Sequence, residues 1–139
     1  MVKKKRKVSE IMMSGVTTIG AGQSVRQAQY LMRKNSVHAL PVVGHEGELL
    51  GIVTSTDLIR DHDPDSTIAR FMSTSVLKVE PETRIETAAE LMRENEMHHL
   101  VVVEGEKVVG ILSTFDLLYL FGKAEVPRRR SMVPADTKE

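Results

Sequence analysis

Cysteine is absent from this chain of 139 residues. That removes disulfides, thiolate nucleophiles and thiolate metal sites, and makes a reducing cytoplasm the expected setting. Tryptophan is also absent, and the aromatic side chains are Tyr30, Phe71, Phe115, Tyr119 and Phe121. So few rings argue against the stacking platforms that bind single-stranded nucleic acid. Neither sign of charge is in excess: 19 basic residues balance 19 acidic ones. Nothing draws the whole molecule toward nucleic acid or an anionic membrane. The longest apolar runs reach about half of the ~20 residues that a membrane span needs. No apolar core follows the basic start of the chain, so export is not expected either. There is no phosphate-binding loop of the Walker type and no defensible pair of catalytic carboxylates, so the expected protein is not an enzyme.

What is present is ordinary for a soluble globular protein, with 41% hydrophobic and 27% charged residues. The length suits one compact domain or two very small ones. The chain repeats itself. Ile11, Met12 and Met13 correspond to Phe71, Met72 and Ser73, while Ala28 to Met32 correspond to Ala88 to Met92. His38, Ala39 and Leu40 correspond to His98, His99 and Leu100. All these pairs lie 60 residues apart. Gly51, Ile52, Val53, Thr54 and Asp57 then match Gly110, Ile111, Leu112, Ser113 and Asp116 at a spacing of 59. The lost residue falls between the matched segments, around Gly44–Glu48, where a hairpin loop tolerates deletion.

Each copy reads as β-α-β-β-α. A first strand is expected at 16–19 and 76–79. The helix that follows has apolar positions Val25, Ala28, Leu31 and Met32, or Ile85, Ala88, Leu91 and Met92, at the spacing of one buried stripe. Ser24 with Gln27, and Thr83 with Glu86, fit capping boxes. Asn35 and Asn95 suit the left-handed residue that ends a helix. Hairpins are expected from 39–43 with 49–54, and from 100–103 with 108–113. A second helix starts near Asp57 and near Asp116. A unit of this size has little core of its own, so the expected fold is α/β (α+β), with two repeats packed sheet to sheet about a pseudo-two-fold axis. The expected division is a basic tail at 1–7, repeats at 8–62 and 67–121, a polar linker at 63–66, and a disordered tail at 122–139.

Thr54-x-x-Asp57 and Ser113-x-x-Asp116 each fall where a strand turns into a helix. They read as helix caps. The same geometry suits a ligand: free N–H groups and a positive dipole end attract phosphate, and a carboxylate accepts ribose hydroxyls. His38, His98 and His99 lie where the third strand of each copy starts. Metal binding is disfavoured there, because adjacent strand residues such as His98 and His99 point to opposite faces.

The ordered set, occurring twice, resembles the cystathionine-β-synthase (CBS) domain over about residues 8–121. The tandem arrangement is similar to the module in the gamma subunit of AMP-activated protein kinase. The resemblance implies a regulatory module that senses adenine nucleotides (AMP, ADP or ATP), with or without magnesium, and that needs no resident cofactor. It also implies crossed sites. One would comprise Val16, Thr17, Val37, His38, Ile111, Ser113 and Asp116. The other would comprise Val76, Leu77, Met97, His98, His99, Ile52, Thr54 and Asp57, and is the better equipped. For the apolar members, plain core packing competes with a role in holding adenine. In the kinase subunit an arginine stands where this chain has His99, and Lys78 and Arg84 are the candidate substitutes. A homodimer is implied as well, expected to cover apolar helix faces at Leu31, Met32, Leu91 and Met92. Partners are thus an adenine nucleotide, a second copy and an unnamed effector protein, with no membrane.

Three alternatives stay open. The ligand is another adenosyl compound, such as S-adenosylmethionine or NAD. The clefts stay empty and the module is a structural or docking unit. Or the basic runs at 3–7 and 128–130 bind nucleic acid; balanced charge weighs against this last.

Overall fold

The computed structural model describes residues 6–59 and 63–121. The basic run through Lys5, residues 60–62 and the tail at 122–139 lie outside the described residues.

The strands are β1 (Met13–Ser14), β2 (Ile19–Gly20), β3 (Ala39–Val43), β4 (Leu49–Thr54), β5 (Lys78–Val79), β6 (His99–Glu104) and β7 (Lys107–Ser113). The helices are α1 (Val25–Asn35), α2 (Ile85–Asn95) and α3 (Thr114–Leu118). Two sheets form, ordered β2-β3-β4 and β1-β7-β6-β5. Each is built on an antiparallel hairpin, with the preceding short strand added in parallel. The hairpins arise where alternation gives way to continuous apolar runs. Leu40, Val42 and Val53 pack under α1, and Leu100, Val102 and Leu112 pack under α2. The opposite faces meet in a third cluster of Met13, Ala39, Ile52, Val101, Val103 and Ile111. Burial on both faces is why these strands carry so few polar residues.

The repeats are not self-contained. Val8 and Ile11 pack in the core of the second copy, and β1 pairs with β7. Ile68, Phe71 and Met72 in turn pack in the core of the first, and Ser73 exchanges both backbone hydrogen bonds with Ile52 at 2.8 and 2.9 Å. The first N–H of each helix is satisfied the same way: Val25 donates to the Ser66 carbonyl and Ile85 to the Arg6 carbonyl. The segment entering each copy therefore completes the other, a crossing that the linear spacing alone did not suggest. Lys7 joins it through a bridge to Arg84 and an exposed ion pair with Glu82 at 2.9 Å.

Several local expectations need correcting. The first strands are two residues long, at 19–20 and 78–79, because the residues before them cross between sheets; in the first copy Gly15 turns the chain with φ of 63°. Ser36 and Glu96, not Asn35 and Asn95, take the left-handed conformation, each with φ of 54°. The asparagines instead use their side-chain amides to reach the carbonyls of Leu31 and Leu91. Ser24 caps α1 by accepting from the Gln27 N–H at 3.0 Å. The N-cap of α2 is Arg84, with no side-chain cap, and Thr83 Oγ1 accepts from Glu80 N–H. The second helix of the first copy is a single 3-10 turn at Thr56–Leu58. Leu31, Met32 and Met92 are buried, so they offer no face to a second copy. The large apolar side chains left exposed are Ile59 (79%), Phe115 (67%), Leu118 (62%) and, marginally, Leu50. Among the described residues, no helix is long and apolar enough to cross a membrane.

Candidate ligand clefts

At the end of β4 the chain turns into its 3-10 turn, and the Asp57 carboxylate folds back over the corner. Its Oδ2 accepts from the Thr54 N–H at 2.8 Å and from Thr54 Oγ1 at 3.0 Å, while the Asp57 N–H donates to Thr54 Oγ1 at 3.3 Å. At the end of β7 the pattern recurs as a complete capping box. Asp116 Oδ2 accepts from the Ser113 N–H at 2.9 Å, and the Asp116 N–H donates to Ser113 Oγ at 3.1 Å. Asp57 is half-buried, whereas Asp116 is only 4% exposed. Both turns are thus caps, as their sequence pattern requires. One carboxylate oxygen in each is committed to that task.

Each turn also faces a cavity whose other wall comes from the opposite copy. The cavity at the β4 corner has a volume of about 330 Å³. All eight residues expected for the second site line it: Ile52, Thr54, Asp57, Val76, Leu77, Met97, His98 and His99. His38, Ser55, Thr56, Ser73, Ser75 and Glu96 complete the wall. The cavity at the β7 corner, about 350 Å³, is lined by five of the seven expected for the first site: Val37, His38, Ile111, Ser113 and Asp116. Met13, Ser36, Ala39, His99 and Phe115 join them. Val16 and Thr17 do not line it; Val16 packs in the cluster between the sheets instead. Val37, Ile52, Val76 and Ile111 do both, packing in that cluster while facing a cleft. Lys78 and Arg84 line neither cavity.

The residues missed from sequence are mostly neighbours of those found. Thr56 and Phe115 fill the interior of the two Thr/Ser-x-x-Asp motifs, and Ser36 and Glu96 are the left-handed residues two before the first histidine of each copy. Ser73 and Ser75 belong to the crossing segment, whose destination no local pattern signals.

His98 and His99 both reach the β4-side cavity although they are adjacent. Strand alternation does not separate them, because β6 begins at His99 and His98 lies in the bend before it. Burial holds His99 below the ordinary histidine range. His98 adds to this by like-charge repulsion, Asp116 opposes it, and His38 contributes in the same direction as His98. His99 is therefore held in its neutral form near pH 7. His38 is exposed, with Nδ1 at 3.5 Å from Ser55 Oγ. Among the described residues, no cluster of three His, Cys, Asp or Glu side chains is placed to hold a metal ion. A larger hollow of about 680 Å³ lies between α1 and the Thr56–Leu58 turn and runs to Ile59; it contains neither carboxylate.

Comparison with known proteins gives these corners a context. The model of the CBS domain matches residues 8–62 and again 68–123. The CBS domain-containing protein YhcV of Bacillus subtilis is 30% identical over 115 residues, covering 79% of this chain and 81% of that protein. The inosine-5'-monophosphate dehydrogenase of Methanocaldococcus jannaschii is 30% identical over 114 residues, but the match covers 81% of this chain and only 23% of the enzyme. Among solved structures, a CBS domain pair in complex with 5′-methylthioadenosine and S-adenosyl-L-methionine superposes with a TM-score of 0.80 at 26% identity, covering 86% of this chain and 98% of that one.

Proposed function

The chain belongs to the CBS domain family, carrying two consecutive copies of the domain, and from that premise we propose that it is a regulatory module that binds adenine nucleotides in its two crossed clefts. The observation that carries this reading is the β4-side cavity. A hydroxyl and a carboxylate from one copy face two imidazoles and the apolar side chains Val76, Leu77 and Met97 from the other. Apolar walls with a few convergent polar groups are the usual construction of a small-molecule site. In this reading Ile52, Val76 and Met97 enclose the adenine, Asp57 accepts from the ribose hydroxyls, and His98 and His99 meet the phosphates. Asp57 Oδ2 already serves the Thr54 cap, so Oδ1 is the oxygen assigned to ribose. The β7-side cleft offers Ser113, Asp116 and His38 in the same roles. No resident cofactor is involved, and magnesium would arrive only with a triphosphate.

A second reading has support from the adenosyl ligands in the name of the structural neighbour, that this chain too binds S-adenosylmethionine. The histidines favour the phosphorylated class, since a phosphate brings them more acceptor oxygens and more negative charge than the one carboxylate of S-adenosylmethionine. NAD fits less well. Both cavities lie at the lower end of the roughly 300–1,000 Å³ range of ligand pockets, a size for one nucleotide rather than two. A homodimer remains part of the proposal, now with Ile59, Phe115 and Leu118 as the surface to be covered.

Thermal unfolding in the presence of AMP, ADP, ATP, NAD and S-adenosylmethionine tests the assignment. A ligand at 100 times its Kd stabilises the fold by about 2.7 kcal/mol. The expected result is a clear rise with at least one of the three adenine nucleotides. A rise only with S-adenosylmethionine moves the reading to the phosphate-free ligand. No rise with any of them points to a docking unit with empty clefts.

A further inference from the structure

The two clefts are not separate. His38 and His99 line both of them, forming a shared wall at the point where the two copies meet. The copies differ at this wall. His99 pairs across the sheet with Ser113, while its counterpart Ala39 pairs with Thr54. The second copy thus places an imidazole where the first has a methyl group. His99 is half-buried, whereas His38 and His98 are exposed to water.

We propose that His99 makes the two clefts interdependent, so that an anionic nucleotide bound in one alters the affinity of the other through this half-buried imidazole. This rests on the nucleotide reading of the clefts given above. A neutral imidazole has one N–H to donate, and an imidazolium has two. While His99 is neutral, phosphates in the two clefts compete for one donor. Once protonated, it can serve both, and an anion in either cleft favours that protonation. The groups facing it set the balance. His98, from the bend before β6, and His38, from the segment before β3, oppose a proton, and Asp116 of α3 favours it. Asp57 and Glu96 share the β4-side cavity with it. Burial keeps His99 neutral near pH 7 when the clefts are empty, so ligand binding there brings a proton with it.

The experiment is NMR of the full chain with 13C-labelled histidine, titrated with AMP, alongside calorimetry in two buffers of different ionisation enthalpy. Three forms that keep His99 are compared, wild type, Asp57→Asn and Asp116→Asn, and each is also made with His99→Ala. Asparagine keeps the capping oxygen, so both variants retain the turn, while each weakens one cleft. The expected result is that AMP moves the His99 resonance toward the protonated position in all three, with proton uptake in the calorimeter. His99→Ala removes that uptake. In the presence of His99, the affinity of one cleft changes about fivefold or more when the other is crippled, a typical size for coupling between sites; in the His99→Ala background it does not change. If AMP moves His99 in wild type but in only one of the two variants, the imidazole serves a single cleft and the inference is overturned while the nucleotide reading stands. If AMP produces neither heat nor any change in the histidine resonances, the nucleotide reading itself falls, and the inference falls with it.

Discussion

The corners after β4 and β7 carry the same motif, a hydroxyl followed three residues later by an aspartate, yet they spend it differently. After β7 the motif completes a capping box, buries its carboxylate and starts a five-residue α-helix. After β4 the carboxylate is half-buried and sits in the middle of a three-residue 3-10 turn. A helix cap and a ligand acceptor demand the same residue types in the same places. What separates the two uses is how much of the carboxylate is left to water. By that measure Asp116 is the more structural of the two, and the proposed nucleotide reading assigns the ligand first to Asp57, which also shares its cavity with two histidines from the other copy.

The largest expected effect breaks the comparison three residues earlier in each strand, at the glycines that precede these corners. A Cβ on Gly51 would lie 2.4 Å from the Ser73 carbonyl oxygen, which is backbone held by the exchange with Ile52. A Cβ on Gly110 would lie equally close to Met12, but to the sulfur of a flexible side chain that can turn away. Gly51→Val should therefore destabilise the fold by about 3 kcal/mol, at the top of the overpacking range, and Gly110→Val by about 1 kcal/mol. Urea unfolding checks both. Equal losses would mean that the two crossing segments yield alike.

Next comes ligand affinity. Asp57→Ala should weaken AMP binding at the β4-side cleft by about 1.5–3 kcal/mol, the value of a hydrogen bond to a charged group. Calorimetric titration reads this directly, and unchanged affinity with the fold intact would reduce Asp57 to a cap. Stability should show the reverse ranking. Asp116→Ala removes a buried acceptor and half of a capping box, costing about 2 kcal/mol. Asp57→Ala should cost about 0.5–1 kcal/mol, because its turn is short and its carboxylate half-solvated. Chemical unfolding of the two variants side by side tests the division of labour. If Asp57→Ala proves the more damaging, the division is wrong.

Much of this architecture was legible because the information is local. The helices at Val25–Asn35 and Ile85–Asn95 follow from one apolar stripe each, and the hairpin at 39–43 and 49–54 follows from two apolar runs around a polar loop. The opposition of the two copies across the β4-side cleft came from the resemblance, since nothing within either repeat tells a strand start which turn it will face. The crossing of Val8 and Ile68 into opposite cores was not legible at all, because apolar residues at 8 and 68 look the same whichever core receives them. The left-handed helix ends show a different limit. Asparagine is the better residue for that conformation, yet Ser36 and Glu96 hold it while the asparagines cap one position earlier. There the helix length set by packing overrides the local preference, which is worth about 1 kcal/mol. His99 was visible in the sequence, but its place on both clefts depends on the meeting of the copies.

The smallest expected effect concerns that residue and the pH dependence of stability. His99 has its proton affinity lowered in the fold, first by burial and then by His98 and His38, against the pull of Asp116. The unfolded chain, with a histidine of ordinary affinity near pH 6.5, therefore holds more protons than the native state between that value and the lower native one. Stability must rise with pH across this window. The contribution is fully present above about pH 6.5 and is lost as the pH falls through the unfolded value toward the native one. One proton sets a ceiling of about 1.4 kcal/mol per pH unit on the slope, and the partial exposure of the ring should leave a fraction of that. The mirror position supplies the control. His99→Ala makes the second copy like the first, where Ala39 is buried without consequence for titration. Thermal melts of wild type and His99→Ala, taken without ligand from about pH 5.5 to 8, should diverge only in the acidic half, with the variant the flatter curve. Parallel curves would show that His99 does not carry the acid sensitivity, and that the one imidazole distinguishing the two copies is silent in folding.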